Sequence, residues 1–191
     1  MMFNKQKKLI LNLKILKILF FSPLLISTPF FIDNSYVKAG LEFQWDQNSG
    51  YRRLKWFQKV SNKRFRNTIF FFLRPSDRQA KLLKITLKIP ETFDSKLKDK
   101  VSLCQVKIGG FDGRTRCIKD IPADVEINED NSSLDIFPYY PIPSNKDSYA
   151  VVFNKIYNPK KPGLKQFHSY GQYAQNDTSS RYLGSWTIVI D

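Results

Sequence analysis

Residues 82–89, Leu82-Leu83-Lys84-Ile85-Thr86-Leu87-Lys88-Ile89, alternate apolar and polar side chains and stop at Pro90. Successive side chains of a strand point to opposite faces. This period therefore sets Leu83, Ile85, Leu87 and Ile89 on a buried side and Lys84, Thr86 and Lys88 on a wet one. Upstream, Thr68-Ile69-Phe70-Phe71-Phe72-Leu73 is a second β-branched and aromatic run. Further runs follow at 101–108, 125–128, 134–137, 149–157, 166–173 and 182–190, separated by turn-rich stretches such as 109–113 and 138–147. No segment after residue 40 sustains the i, i+3, i+4, i+7 pattern over the roughly 10 residues a helix requires. Only 51–61, with Leu54, Phe57 and Val60 three apart, reads either as a short helix or as a bent strand. About eight or nine strands without helical crossovers predict an all-β fold, an antiparallel β-sandwich of immunoglobulin-like architecture. In its last strand Trp186, Ile188 and Ile190 share one face and are assigned to the core, while Gly184 permits a bulge or a close backbone approach.

The first 39 residues belong to a different class. Lys5, Lys7 and Lys8 precede the 15-residue apolar run 18–32, and Val37-Lys38-Ala39 offers a small-residue cleavage site before Gly40. This is the pattern of a secretory signal peptide. The alternative, an uncleaved membrane anchor, needs roughly 20 apolar residues, whereas this run is broken by Pro23 and Pro29. Both readings send residues 40–191, expected to form one domain, across the membrane. Periplasm, outer envelope and extracellular space all remain open as destinations.

The charge of +14 comes from 31 Lys and Arg against 17 Asp and Glu. Six lysines and Asp33 put +5 in residues 1–39, which leaves +9 for residues 40–191, and 51–78 alone carries nine basic residues against Asp77. Basic character is thus local. Within it, Arg52, Arg53, Lys55, Lys59, Lys63, Arg64 and Arg66 interleave with Tyr51, Trp56, Phe57 and Phe65. Such a segment is either a solvated face whose rings belong to the core or an anion-binding patch. Export makes nucleic acid a poor partner. Anionic lipid head groups, acidic envelope polysaccharide or an envelope protein are the reachable ones.

Little in the chain supports catalysis. A single histidine excludes sites built on two imidazoles, and two cysteines cannot supply a four-thiolate zinc site. His168, with Ser169 and Asp177 as conceivable triad partners, has no nucleophile-elbow signature around it. Glu126, Glu129, Asp130 and Asp135 do not follow calcium-loop spacing, and Gly109-Gly110 precedes no helix. No cofactor, metal or catalytic residue is therefore assigned. Cys104 and Cys117 are symmetric about the glycine-rich turn, so a hairpin in that register sets 104 opposite 117, 106 opposite 115 and 108 opposite 113, with Val106 and Ile108 on the Cys104 face. Such a pair can meet disulfide geometry in an oxidising compartment, and closing a loop of about 14 residues contributes about 3 kcal/mol on the chain-entropy model. A reactive or metal-binding thiol pair is the alternative.

The order of features in the C-terminal half, Phe137-Pro138, Pro141-Ile142-Pro143, Tyr157-Asn158-Pro159, Phe167 and Arg181-Tyr182-Leu183-Gly184-Ser185-Trp186, resembles the exported cyanobacterial family called domain of unknown function 2808. The resemblance covers roughly residues 41–191 and is strongest over 134–190. Ser185 stands where that family often has Thr, and Asn176-Asp177 where a Pro-Gly-Asp turn is usual. It implies a cell-envelope or secreted protein and supplies no catalytic residues. The function expected is a non-catalytic binding or structural module with a local basic patch. The alternatives are an envelope hydrolase acting on polysaccharide or peptide, and an assembly factor that binds partners by strand addition. Non-reducing mass mapping of exported protein is expected to recover Cys104 and Cys117 in one bridged peptide, and two free thiols would contradict the pairing.

Overall fold

Strand β2 (Arg66–Leu73) buries both of its faces. Ile69, Phe71 and Leu73 are completely inaccessible, and Phe70 and Phe72 nearly so, the latter two in a second apolar cluster with Cys104, Val106, Ala150 and Val152 of the same sheet. It belongs to a computed structural model that describes residues 50–110, 113–174 and 179–191, all within one unit, Phe43–Asp191. The leader of residues 1–39, its cleavage point and Asp177 lie outside the described residues.

The other strands are β1 (Trp56–Gln58), β3 (Leu82–Lys88), β4 (Val101–Lys107), β5 (Arg116–Ile121), β6 (Ala123–Ile127), β7 (Ser133–Pro138), β8 (Tyr149–Tyr157), β9 (Gly163–Tyr173) and β10 (Ser180–Ile190). They form two five-stranded sheets in the orders β1-β2-β8-β4-β5 and β10-β9-β3-β7-β6, with every strand pair antiparallel. The all-β sandwich is therefore as expected. Its ten described strands exceed the expected eight or nine because two are hard to see in sequence. β1 spans three residues, and β5 is an edge strand, half-exposed or exposed throughout.

The core joins the sheets through aromatic rings. Phe71 of the first sheet lies 4.9 Å from Phe167 and 5.1 Å from Trp186 of the second, and 5.0 Å from Phe153 beside it. Trp186 Nε1 donates across the sandwich to the Phe72 carbonyl at 3.2 Å, which satisfies the one polar atom of an otherwise apolar anchor. Trp186, Ile188 and Ile190 are buried, as their shared face requires.

Bulges correct three side-chain assignments. β3 pairs Leu82 with Tyr173 and then Lys84 with Gln172, so Leu83 is the extra residue. Leu82 is consequently buried and Leu83 is turned outward, the reverse of strict alternation. Leu82 also exchanges both backbone hydrogen bonds with Ile142, the one residue of Pro141-Ile142-Pro143 that has an N–H to give. In the β4–β5 hairpin the turn closes on a Gly110–Gly113 bridge, which sets Val106 opposite Cys117, and a bulge between Gln105 and Val106 then sets Cys104 opposite Asp120. Cys104 and Cys117 therefore lie diagonally rather than face to face, yet at disulfide distance, with Cα atoms 5.7 Å apart. Val106 stays buried on that face, whereas Ile108 lies beyond β4 and is exposed.

Gly184 combines both properties expected of it. It follows a bulge at Tyr182 and has φ +142°. A Cβ there would fall 2.6 Å from the Arg52 carbonyl oxygen and 2.7 Å from Leu54 Cγ. Gly184→Ala should cost at least about 2 kcal/mol of unfolding free energy, through left-handed strain plus a backbone clash. An unchanged denaturant midpoint would show that the 52–54 segment yields freely.

Candidate functional site

The basic segment folds neither as a helix nor as one strand. Residues 52–54 run parallel to β10, with Ser185 N–H donating to the Arg52 carbonyl at 2.7 Å and Leu54 N–H to the Ser185 carbonyl at 2.8 Å. The chain then crosses the open side of the sandwich, drops Leu54 into the core and joins the opposite sheet as β1. This splits the seven cations. Arg52 is committed to the fold, bound to the Ser76 carbonyl and the buried Asp77 carboxylate, which Arg74 also holds. Arg53 and Lys55 are exposed beside the crossing. Lys59 borders a hollow with Phe57 and Arg114, and Lys63 is exposed, its backbone N–H bonded to the Asp191 carbonyl. Only Arg64 and Arg66 share a recess.

That recess is a groove of about 650 Å³ at one end of the sandwich. Arg64 and Arg66 meet Lys96 and Lys100 of the β3–β4 connection, Lys155 of β8 and Lys160 of the β8–β9 turn. Asp94 is the one acid among the lining residues, and its carboxylate accepts the Lys160 backbone N–H at 3.2 Å. None of the six cations forms an ion pair with a described residue.

Buried amides hold the groove's walls. Asn67 Nδ2 donates to Asn158 Oδ1 at 3.0 Å. Asn158 Nδ2 in turn donates to the carbonyls of Val60 and Asn62, while Asn67 Oδ1 accepts from the backbone of Lys59 and Val60. The extended Asn158 imposed by Pro159 thus becomes a clamp on the β1–β2 loop. Two lining cations occupy left-handed backbone, Arg64 with φ 62° and Lys155 with φ 48°. Lys155 sits at the irregularity where β2–β8 pairing jumps from Asn67↔Ile156 to Ile69↔Phe153. Non-glycine residues in this region are held there against their preference, and bulges re-aim side chains.

Lys165 adds a buried cation at this end. Two residues before Phe167 on β9, it shares that buried face and is 2% exposed, as lysine stems allow. Burial pushes its ammonium pKa down, and Asp94 opposes that shift while Lys161 adds to it. The sequence pattern missed Lys96, Lys100, Lys155, Lys160 and Lys165. They come from separate strands and loops, and Asp94 and Asp99 dilute the local charge around 96–100.

Elsewhere, the residues weighed for chemistry are dispersed. His168 Nδ1 and the Tyr182 hydroxyl both contact Ser185 Oγ, at 2.7 and 2.6 Å. Ser169 faces the opposite way, its hydroxyl completely buried and unpartnered. His168 and Ser169 therefore cannot act on one bond. Asp135 is held by Lys84 at 2.8 Å and Thr86 at 2.5 Å, and Asp130 closes its turn on the Ser132 N–H, which lowers its pKa. Glu126 and Glu129 are exposed.

These observations define an immunoglobulin-like β-sandwich with a cationic groove at one end. The chain belongs to the family described as "Protein of unknown function (DUF2808)", whose model matches residues 47–190. No curated protein matches it. Among solved structures it is similar to BslA, a bacterial hydrophobin, with a TM-score of 0.45, 12% identity and coverage of 74% of this chain and 95% of that one. For the collagen-binding domain of a Staphylococcus aureus adhesin the values are 0.40, 10%, 71% and 95%. For an uncharacterised Nocardia farcinica protein with an immunoglobulin-like fold they are 0.43, 10%, 72% and 97%. Among the described residues no helix is long and apolar enough to cross a membrane.

Lys165→Met keeps the stem and removes the desolvated charge. It should raise the melting temperature by about 2–4 °C, the shift that ~1 kcal/mol produces in a domain of this size. A lowered melting temperature would show that the ammonium has a stabilising partner.

Proposed function

We propose that this protein is an exported, non-catalytic binding module of the cell envelope that holds an anionic partner in the groove around Arg64, Arg66 and Lys155. The observation that carries this reading is the convergence on one recess of six cations that pair with no described carboxylate, with Asp94 as the one acid among the described lining residues. Like charges brought together by folding repel, and a concave site concentrates their field on an incoming anion. A merely solvated basic surface would disperse the same residues, as the chain does with Arg53 and Lys55. Support also comes from the clamped backbone. The Asn67–Asn158 pair fixes the loop that carries Arg64, so little conformational freedom is lost on binding. The partner classes are anionic lipid, acidic polysaccharide and acidic envelope protein.

The test is retention of the purified domain on isolated envelopes at low and high salt. Wild-type retention should fall steeply as salt screens the contacts. The charge-reversal variant R64E/R66E/K155E should lose at least about tenfold at low salt while its melting temperature is kept or raised, since it relieves repulsion. Equal retention of the folded variant and the wild type would remove the groove from any binding role.

A further inference from the structure

The surface around the groove is not only charged. Phe65, between Arg64 and Arg66, is 63% exposed, and Tyr157, opposite Arg66 on β8, is 66% exposed. Their exposure is built in. The Phe65 carbonyl accepts the Asn158 N–H at 2.9 Å, and the Arg64 N–H donates to the Asn158 carbonyl at 3.2 Å. Both rings therefore stand on pinned backbone at the same end of the sandwich as the cations. What sets these two rings apart from the other exposed apolar side chains is their place beside the groove's cations, the combination that interfacial membrane sites use.

The neutral polar groups of the groove narrow what that something is. Ser95 Oγ donates to the Tyr157 carbonyl at 2.6 Å, and the Asn158 side chain is spent on Asn67, Val60 and Asn62. A sugar hydroxyl needs such neutral donors and acceptors. Here the Tyr157 hydroxyl is the one neutral side-chain donor left among the groove's described residues, and the others left to meet a ligand are cations that suit phosphate and rings that suit an interfacial layer. We infer that this end of the sandwich docks on an anionic phospholipid bilayer, with phosphate head groups in the groove at Arg64, Arg66, Lys155 and Lys160 and with Phe65 and Tyr157 seated in the head-group layer. This rests on the anion-binding reading and specifies its partner.

Co-sedimentation of the folded domain separates the two claims. The probes are vesicles of phosphatidylcholine alone, vesicles of equal parts phosphatidylcholine and phosphatidylglycerol, and soluble dextran sulfate. The wild type should bind the anionic vesicles and dextran sulfate and leave neutral vesicles in solution. Phe65→Ser should lose about tenfold on anionic vesicles, the order expected for removing one buried ring, and keep its affinity for dextran sulfate. Phe65→Trp should bind vesicles at least as tightly, with a blue shift in emission beyond that of the wild type, as an indole entering the interface gives. R64E/R66E/K155E should lose both ligands. Lipid docking is overturned if the wild type ignores anionic vesicles or if Phe65→Ser binds them unchanged. In either case continued, R64E/R66E/K155E-sensitive binding of dextran sulfate leaves the anion-binding reading standing. Loss of neither ligand in the charge-reversed protein overturns both.

Discussion

The contact between Phe71 and Trp186, 5.1 Å apart across the sandwich, is the constraint on which the remaining structure depends. Phe71 is the inward centre of β2, and Trp186 the inward centre of β10. Between them, with Phe153, Phe167 and Phe93 packed around, they set the separation of two sheets that share no strand ladder. Dispersion and apolar burial supply the attraction. The indole N–H on the Phe72 carbonyl supplies direction, since a ring that must satisfy one donor cannot slide along the opposing strand.

Everything at the basic segment follows from closing that sandwich at its β1–β10 side. The chain must leave one sheet edge and join the other while covering the core, and Leu54 is the residue that covers it. Its seat exists because Gly184 has no side chain. Arg52 is consumed in the same closure, on Asp77. A run of cations that looks uniform in one dimension is thus divided by the crossing into structural, dispersed and convergent members.

Fold class was legible because strand periodicity is a local property. The alternation at 82–89 and the apolar run at 68–73 report the environment of their own side chains. What the alternation missed, Leu82 inward and Leu83 outward, came from pairing with Tyr173 and from the backbone exchange with Ile142. These lie some sixty to ninety positions away in the chain. The cysteine pair was legible for the same local reason, whereas its register was not, because the turn closes on Gly110 and Gly113, one position later than symmetry about the cysteines assumes, and a bulge then skips Ile118. Gly184 was readable as a bulge or a close approach, and its neighbour Arg52 was not.

By itself the sequence determined that the chain alternates as strands, buries the apolar face of its last strand and concentrates charge in 51–78. Composition and spacing are enough for that, because each residue's preference for water or core is its own. Only the tertiary structure decided which cations meet. Arg64 and Arg66 are separated from Lys96, Lys100, Lys155 and Lys160 by thirty to almost a hundred positions, and they share a groove because antiparallel strands return their ends to one side of the sandwich. The same folding left Phe65 and Tyr157 uncovered beside them. Charge at a distance in sequence becomes a field only when the backbone brings it together, and that is a property of topology rather than of any segment.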